Sequence, residues 1–124
     1  MKDKRPVNLD ITFSALPITA YTSILHRISG ALLFVGVAAL IWLLDCSLAS
    51  EESFNATKDI MTGFIAKLIL WVVLSGLVYH SVAGIKHLIM DAGIGETLEG
   101  GATGSKIVFV VSVVLILLVG AWIW

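Results

Sequence analysis

The sequence predicts an all-α integral membrane protein with three transmembrane helices. Three observations carry this. Only 14% of the 124 residues are charged and 58% are hydrophobic, where a soluble domain carries about 25% charge. The mean hydropathy is +0.99. Uncharged runs cover 28–44, 68–85 and 107–124, that is 17, 18 and 18 residues, close to the roughly 20 that cross a bilayer core of about 30 Å. A net charge of −1 offers nucleic acid no basic surface. The single cysteine, Cys46, excludes an internal disulfide and any C-x-x-C-H haem attachment.

The elements follow in order, as one membrane-anchor domain over 1–124. Residues 1–17 are polar, carry Pro6 and Pro17, and read as an extended cytoplasmic arm. The opening MKDKRPVNLD lacks the apolar core of a signal peptide and the Arg/Ser richness of a transit peptide, so the chain is expected to begin near Met1, in a bacterium. Pro17 suits the first turn of a helix. Helix one spans 18–45, with His26 and Arg27 inside its first end and Gly30 and Gly36 allowing close packing. Asp45 to Asp59 reads as an acidic loop, where Asp45, Glu51, Glu52 and Asp59 face Lys58 alone. Helix two spans 60–90, its uncharged core flanked by Lys67 and Lys86. The stretch GGATGSK at 100–106 lacks the phosphate-binding spacing and a preceding strand, and reads as a flexible loop. Helix three spans 106–124.

Two signals orient the bundle. Lys2, Lys4, Arg5, Lys86 and Lys106 gather on one side, which predicts a cytoplasmic N-terminus and a periplasmic C-terminus. Trp42, Trp71, Trp122 and Trp124 fall at the opposite ends of their helices, as an interfacial belt.

One residue stands out chemically. A histidine within a membrane span is a functional candidate by default, and His80 lies six residues before Lys86, roughly 9 Å deeper at 1.5 Å per residue. Gly76, His80, Gly84 and His87 form one helical stripe, leaving room for a flat group. His26, Arg27, Lys86 and His87 make a basic cluster above it. This pattern suits a b-type haem, with imidazole on iron and propionates reaching basic side chains. A buried histidine bonded to a neighbouring helix is the competing reading; the stripe and the cluster favour a ligand. His87, on spacing alone, reads as an interfacial residue. His80 is the one deep histidine, so if haem is bound by two histidines the second must come from another chain. On helix one, Ser23, His26, Arg27 and Gly30 form a polar patch. A hydroxyl and a fixed cation there suit a quinone head group, although an arginine snorkelling to lipid phosphate is the commoner use of such a residue. Tyr79 reads as packing, and Asp91 as a partner of Lys86 or His87. With no broken span and one deep ionisable group, a transporter is disfavoured.

Two stretches resemble a known family. Arg5-Pro6-Val7-Asn8-Leu9-Asp10 with Ser23-Ile24-Leu25-His26-Arg27-Ile28-Ser29-Gly30 resembles the first signature of the succinate dehydrogenase cytochrome b subunits, the larger membrane anchors of respiratory complex II. His80, Gly84, Ile85, Lys86, His87, Leu88, Met90, Asp91 and Gly93 resemble the second. The resemblance implies that His80 is a haem b ligand, that Ser23 and Arg27 line a ubiquinone site, and that His26, Arg27 and His87 lie at the haem propionates. It implies a smaller anchor subunit supplying the second haem ligand, an iron–sulfur subunit, a flavoprotein subunit, membrane lipid around the bundle, and a place in the bacterial inner membrane. Lys86 departs from the arginine usual in the family and loses its bidentate fork. Two alternatives stand: the anchor of a related fumarate reductase, and a membrane adaptor without haem.

Overall fold

The computed structural model describes residues 12–124, and in them every regular element is helical. The stretch Arg5–Asp10, with most of the expected arm, lies outside the described residues. A single 3-10 turn at Phe13–Ala15 leads to four helices: α1 (Ile18–Leu48), α2 (Glu51–Met61), α3 (Phe64–Asp91) and α4 (Leu98–Ile123). The first, third and fourth are long and apolar enough to cross a membrane. They run up, down and up, so α1 begins beside the end of α3 and the start of α4. We call this the histidine end and the opposite one the tryptophan end. Pro17 stands one residue before the first helical turn, and its carbonyl accepts from the amides of Ala20 (3.0 Å) and Tyr21 (3.4 Å).

The acidic loop expected from Asp45 to Asp59 is instead mostly helix α2. The local signals are a cap and a dipole. Ser50 accepts from the Ser53 amide at 3.0 Å, Glu51 and Glu52 occupy the first turn, and Lys58 the last, all favourable at those ends. α2 is tied down by the Ser53 hydroxyl, which donates to Cys46 O at 2.8 Å.

The expected glycine-rich loop is also helical. Thr97 accepts from the Gly100 amide at 3.0 Å and starts α4 eight residues before the apolar run predicted its first turn at 106. Gly101 and Gly104 there serve packing. A Cβ on Gly101 would stand 3.4 Å from Thr19 of α1, and one on Gly104 3.4 Å from the Lys86 side chain. The true loop is the short turn after α3. Gly93 N donates to Met90 O (2.9 Å) and Ile94 N to Ile89 O (3.2 Å), a Schellman ending whose left-handed position needs glycine. Gly93 supplies it at φ 85°.

Small residues set the packing. Every buried residue in the three spans is Gly, Ala, Ser, Thr or Val. On α1, Thr22, Ser29 and Gly36 recur every seven residues, the period of a left-handed helix crossing. Gly36 lies against Val73, and Gly76 against Leu32. Where helices meet in lipid, such residues let backbones approach. Large apolar side chains point outward instead, as with Phe34, 83% exposed. Trp42, Trp122 and Trp124 are exposed at the tryptophan end. Trp71 departs from the simple belt: its indole N–H turns inward and donates to Ile116 O at 2.9 Å.

Candidate functional site

The chain's three histidines meet between α1 and α3 at the histidine end. The His26 and His80 rings stack at 4.1 Å, only 10° from parallel. His87 sits 5.1 Å from His26, tilted by 57°. Spacing puts His26 in the basic cluster above His80; the structure lays it on the face of the His80 ring. Helix α1 makes this contact because Gly84 on α3 leaves space, its missing Cβ falling 3.4 Å from His26 Nε2.

His80 is held by its Nδ1 edge. Nδ1 lies 3.0 Å from His26 O and 3.1 Å from Ser29 Oγ. A carbonyl only accepts, so Nδ1 carries the proton and Nε2 keeps the lone pair. The ring edge at Cε1 faces Gly30, where a Cβ would come within 3.1 Å. His80 Nε2 has no hydrogen-bond partner among the described residues. The one buried, unpartnered side-chain polar atom among them is Ser112 Oγ, so Nε2 reaches the protein surface. A neutral imidazole with Nδ1–H paired and Nε2 open is the form that binds a metal.

Such a nitrogen would fit a haem iron, held through His80 Nε2 alone. The stacked rings of His26 and His80 turn faces toward each other, so they cannot bind opposite sides of one iron. No group of three or more His, Cys, Asp or Glu able to hold a bare metal ion occurs among the described residues.

The remaining candidates divide. Ser23 is half-buried and Arg27 exposed, one turn apart on α1 beside His26. Tyr79 is a structural tie, as its packing role predicts: its hydroxyl donates to Thr22 O at 2.9 Å and its ring stacks on Phe109 at 6.0 Å. Two expectations are overturned. Lys86 does not join the cluster above His80; it crosses to α4 and donates to the buried Ser105 hydroxyl at 3.1 Å. Asp91 is exposed and pairs with neither Lys86 nor His87 among the described residues. The glycine stripe also changes meaning, because Leu32 and His26 of α1 already occupy the space beside Gly76 and Gly84. Sequence reasoning missed the role of Ser29, which its place in the seven-residue repeat of small residues could have flagged as facing α3.

The chain matches, over residues 1–119, the model of a family described as succinate dehydrogenase/fumarate reductase transmembrane subunit. It is similar to the succinate dehydrogenase cytochrome b556 subunit of Coxiella burnetii, 44% identical with both chains covered in full. The protein of the same name from Paracoccus denitrificans is 32% identical, over 94% of this chain and 90% of its own. The cytochrome b560 subunit of Reclinomonas americana is also 32% identical, over 80% of this chain and 72% of its own. The family match takes in α1, α3, most of α4 and all three histidines, and the chain belongs to the succinate dehydrogenase/fumarate reductase transmembrane subunit family.

Proposed function

We propose that this chain is the larger membrane anchor of a bacterial succinate:ubiquinone oxidoreductase. It lies in the inner membrane with its histidine end toward the cytoplasm, and His80 Nε2 would hold the iron of haem b. The observation that carries this is the hydrogen-bonded Nδ1 edge of His80, 3.0 Å from His26 O, with Nε2 left open at the surface. Membership of the family makes the chain a membrane subunit of an oxidoreductase complex with flavoprotein and iron–sulfur partners. Succinate is oxidised on those partners and not on this chain.

The second haem ligand comes from a smaller anchor subunit packed against the open side of His80. Haem b supplies a one-electron centre near the quinone. The residues of this chain do the rest. His26 stacks on His80, His87 lies 5.1 Å from His26, and Arg27 follows His26 in the chain; these three would receive the propionates. Ser23 offers a hydroxyl to a ubiquinone carbonyl, and Arg27 a cation that favours the reduced head group. Two electrons and two protons convert the bound quinone to quinol at this end of the bundle.

The test is the haem spectrum of the purified complex carrying His80→Leu. Loss or marked weakening of the haem absorbance is expected, with the subunits still assembled. An unchanged spectrum would remove His80 as a ligand.

A further inference from the structure

We infer that Ser29 is a positioning residue that sets the donor strength of His80. The inference rests on His80 being the haem ligand. Three atoms form a tight triangle: Ser29 Oγ to His26 O is 2.7 Å, His80 Nδ1 to His26 O is 3.0 Å, and Ser29 Oγ to His80 Nδ1 is 3.1 Å. Two protons serve these three atoms, one on Nδ1 and one on the hydroxyl. The helix ladder of α1 already directs the amide of Gly30 at His26 O, and a carbonyl has two lone pairs. The assignment that overloads no acceptor is a relay. The Ser29 hydroxyl donates to His26 O, and the His80 N–H donates to Ser29 Oγ while leaning on the carbonyl.

Ser29 is 7% exposed, so the relay lies where water competes poorly and each bond polarises the next. A proton drawn toward Ser29 makes the opposite nitrogen, Nε2, a stronger electron donor. Stronger donation stabilises ferric over ferrous haem and lowers its potential. Ser29 acts through His80 and touches no reacting atom.

The experiment is a redox titration of haem b in the intact complex carrying Ser29→Ala, Ser29→Thr and, as a control, His80→Leu. Alanine removes the relay and is smaller; threonine keeps the hydroxyl and is larger. With haem still bound, Ser29→Ala is expected to shift the ferric/ferrous equilibrium three- to tenfold toward ferrous, up to about 59 mV more positive for one electron. Ser29→Thr is expected to stay at the wild-type potential. A packing role would give the reverse order, with threonine the more disturbed. A wild-type potential in Ser29→Ala, alongside loss of haem in His80→Leu, overturns the role of Ser29 and leaves the ligand in place. Haem retained in His80→Leu overturns the ligand assignment itself. Should Ser29→Ala bind no haem, Ser29→Cys decides: a thiol is a weaker donor and acceptor, so a positive shift against Ser29→Thr supports the relay and equal potentials overturn it.

Discussion

Helix α3 presents two aromatic rings to its neighbours by the same device, one at each end of the bundle. At the tryptophan end, Trp71 lies against Gly120, where a Cβ would fall 3.1 Å from Nε1, and donates to Ile116 O at 2.9 Å. At the histidine end, His80 lies against Gly30, also with a Cβ distance of 3.1 Å, and its Nδ1 stands 3.0 Å from His26 O. In both, the accepting carbonyl sits four residues before the glycine. Side chains on a helix lean toward its N-terminus, so a residue at that position would cover the carbonyl. Glycine uncovers it. The difference lies in the ring. Indole has one N–H and no acceptor, so the Trp71 joint is closed once its bond is made. Imidazole has a second nitrogen, so the His80 joint remains open. One packing motif thus closes the ring at one end and leaves a free ring nitrogen at the other.

Substitutions at the two glycines separate these outcomes. Gly30→Leu pushes into the His80 ring and is expected to cause the largest change, loss of haem absorbance from an assembled complex, read by the reduced-minus-oxidised spectrum. Gly30→Leu with normal haem would show that the seam does not position the ligand. Arg27→Ala, at the same end, is expected to lower quinone reduction roughly tenfold or more, the scale of one lost charged hydrogen bond. Reduction of a soluble dye by the same complex should persist; equal loss of both activities would contradict a quinone contact.

Effects at the tryptophan end should be purely structural. Gly120→Val overpacks the indole and is expected to cost about 1–3 kcal/mol, read as a lower melting temperature with an unchanged haem spectrum. Trp71→Phe keeps an aromatic ring but loses the pyrrole half of the indole with its N–H; the lost hydrogen bond alone costs about 0.5–1.5 kcal/mol. A haem shift in either variant would show that the ends are coupled. The most local effect is expected from Ser50→Ala. Loss of that cap costs about 1 kcal/mol and should speed hydrogen exchange at the start of α2 alone.

The helices were legible where hydrophobicity alone decides them. The apolar runs at 28–44, 68–85 and 107–124 lie within α1, α3 and α4, apart from the final residue Trp124. Boundaries set by caps were not. Charge counting read Asp45–Asp59 as loop, although Ser50-Glu51-Glu52 is a helix start. Glycine content read 100–106 as flexible, although in a membrane bundle glycine is as often a contact surface. His80, Ser23 and Arg27 could be named from spacing. The partner of His80 could not. Its hydrogen bond goes to a backbone carbonyl, which every residue has, and the stacking of His26 depends on how α1 and α3 cross. The direction of Lys86 was likewise hidden, because a long side chain on α3 can turn to either neighbour, and only the packing of Gly104 and Ser105 draws it to α4.

Ligation by His80 can be tested without relying on loss alone. In the purified complex carrying His80→Ala, the side chain is gone and α1 and α3 keep good helix formers at their contact. Titration with free imidazole then asks whether the missing group is an iron ligand. An altered or absent low-spin haem spectrum, restored in proportion to added imidazole, is the expected result. A wild-type spectrum in His80→Ala before any imidazole is added would contradict the assignment of His80 Nε2 to the haem.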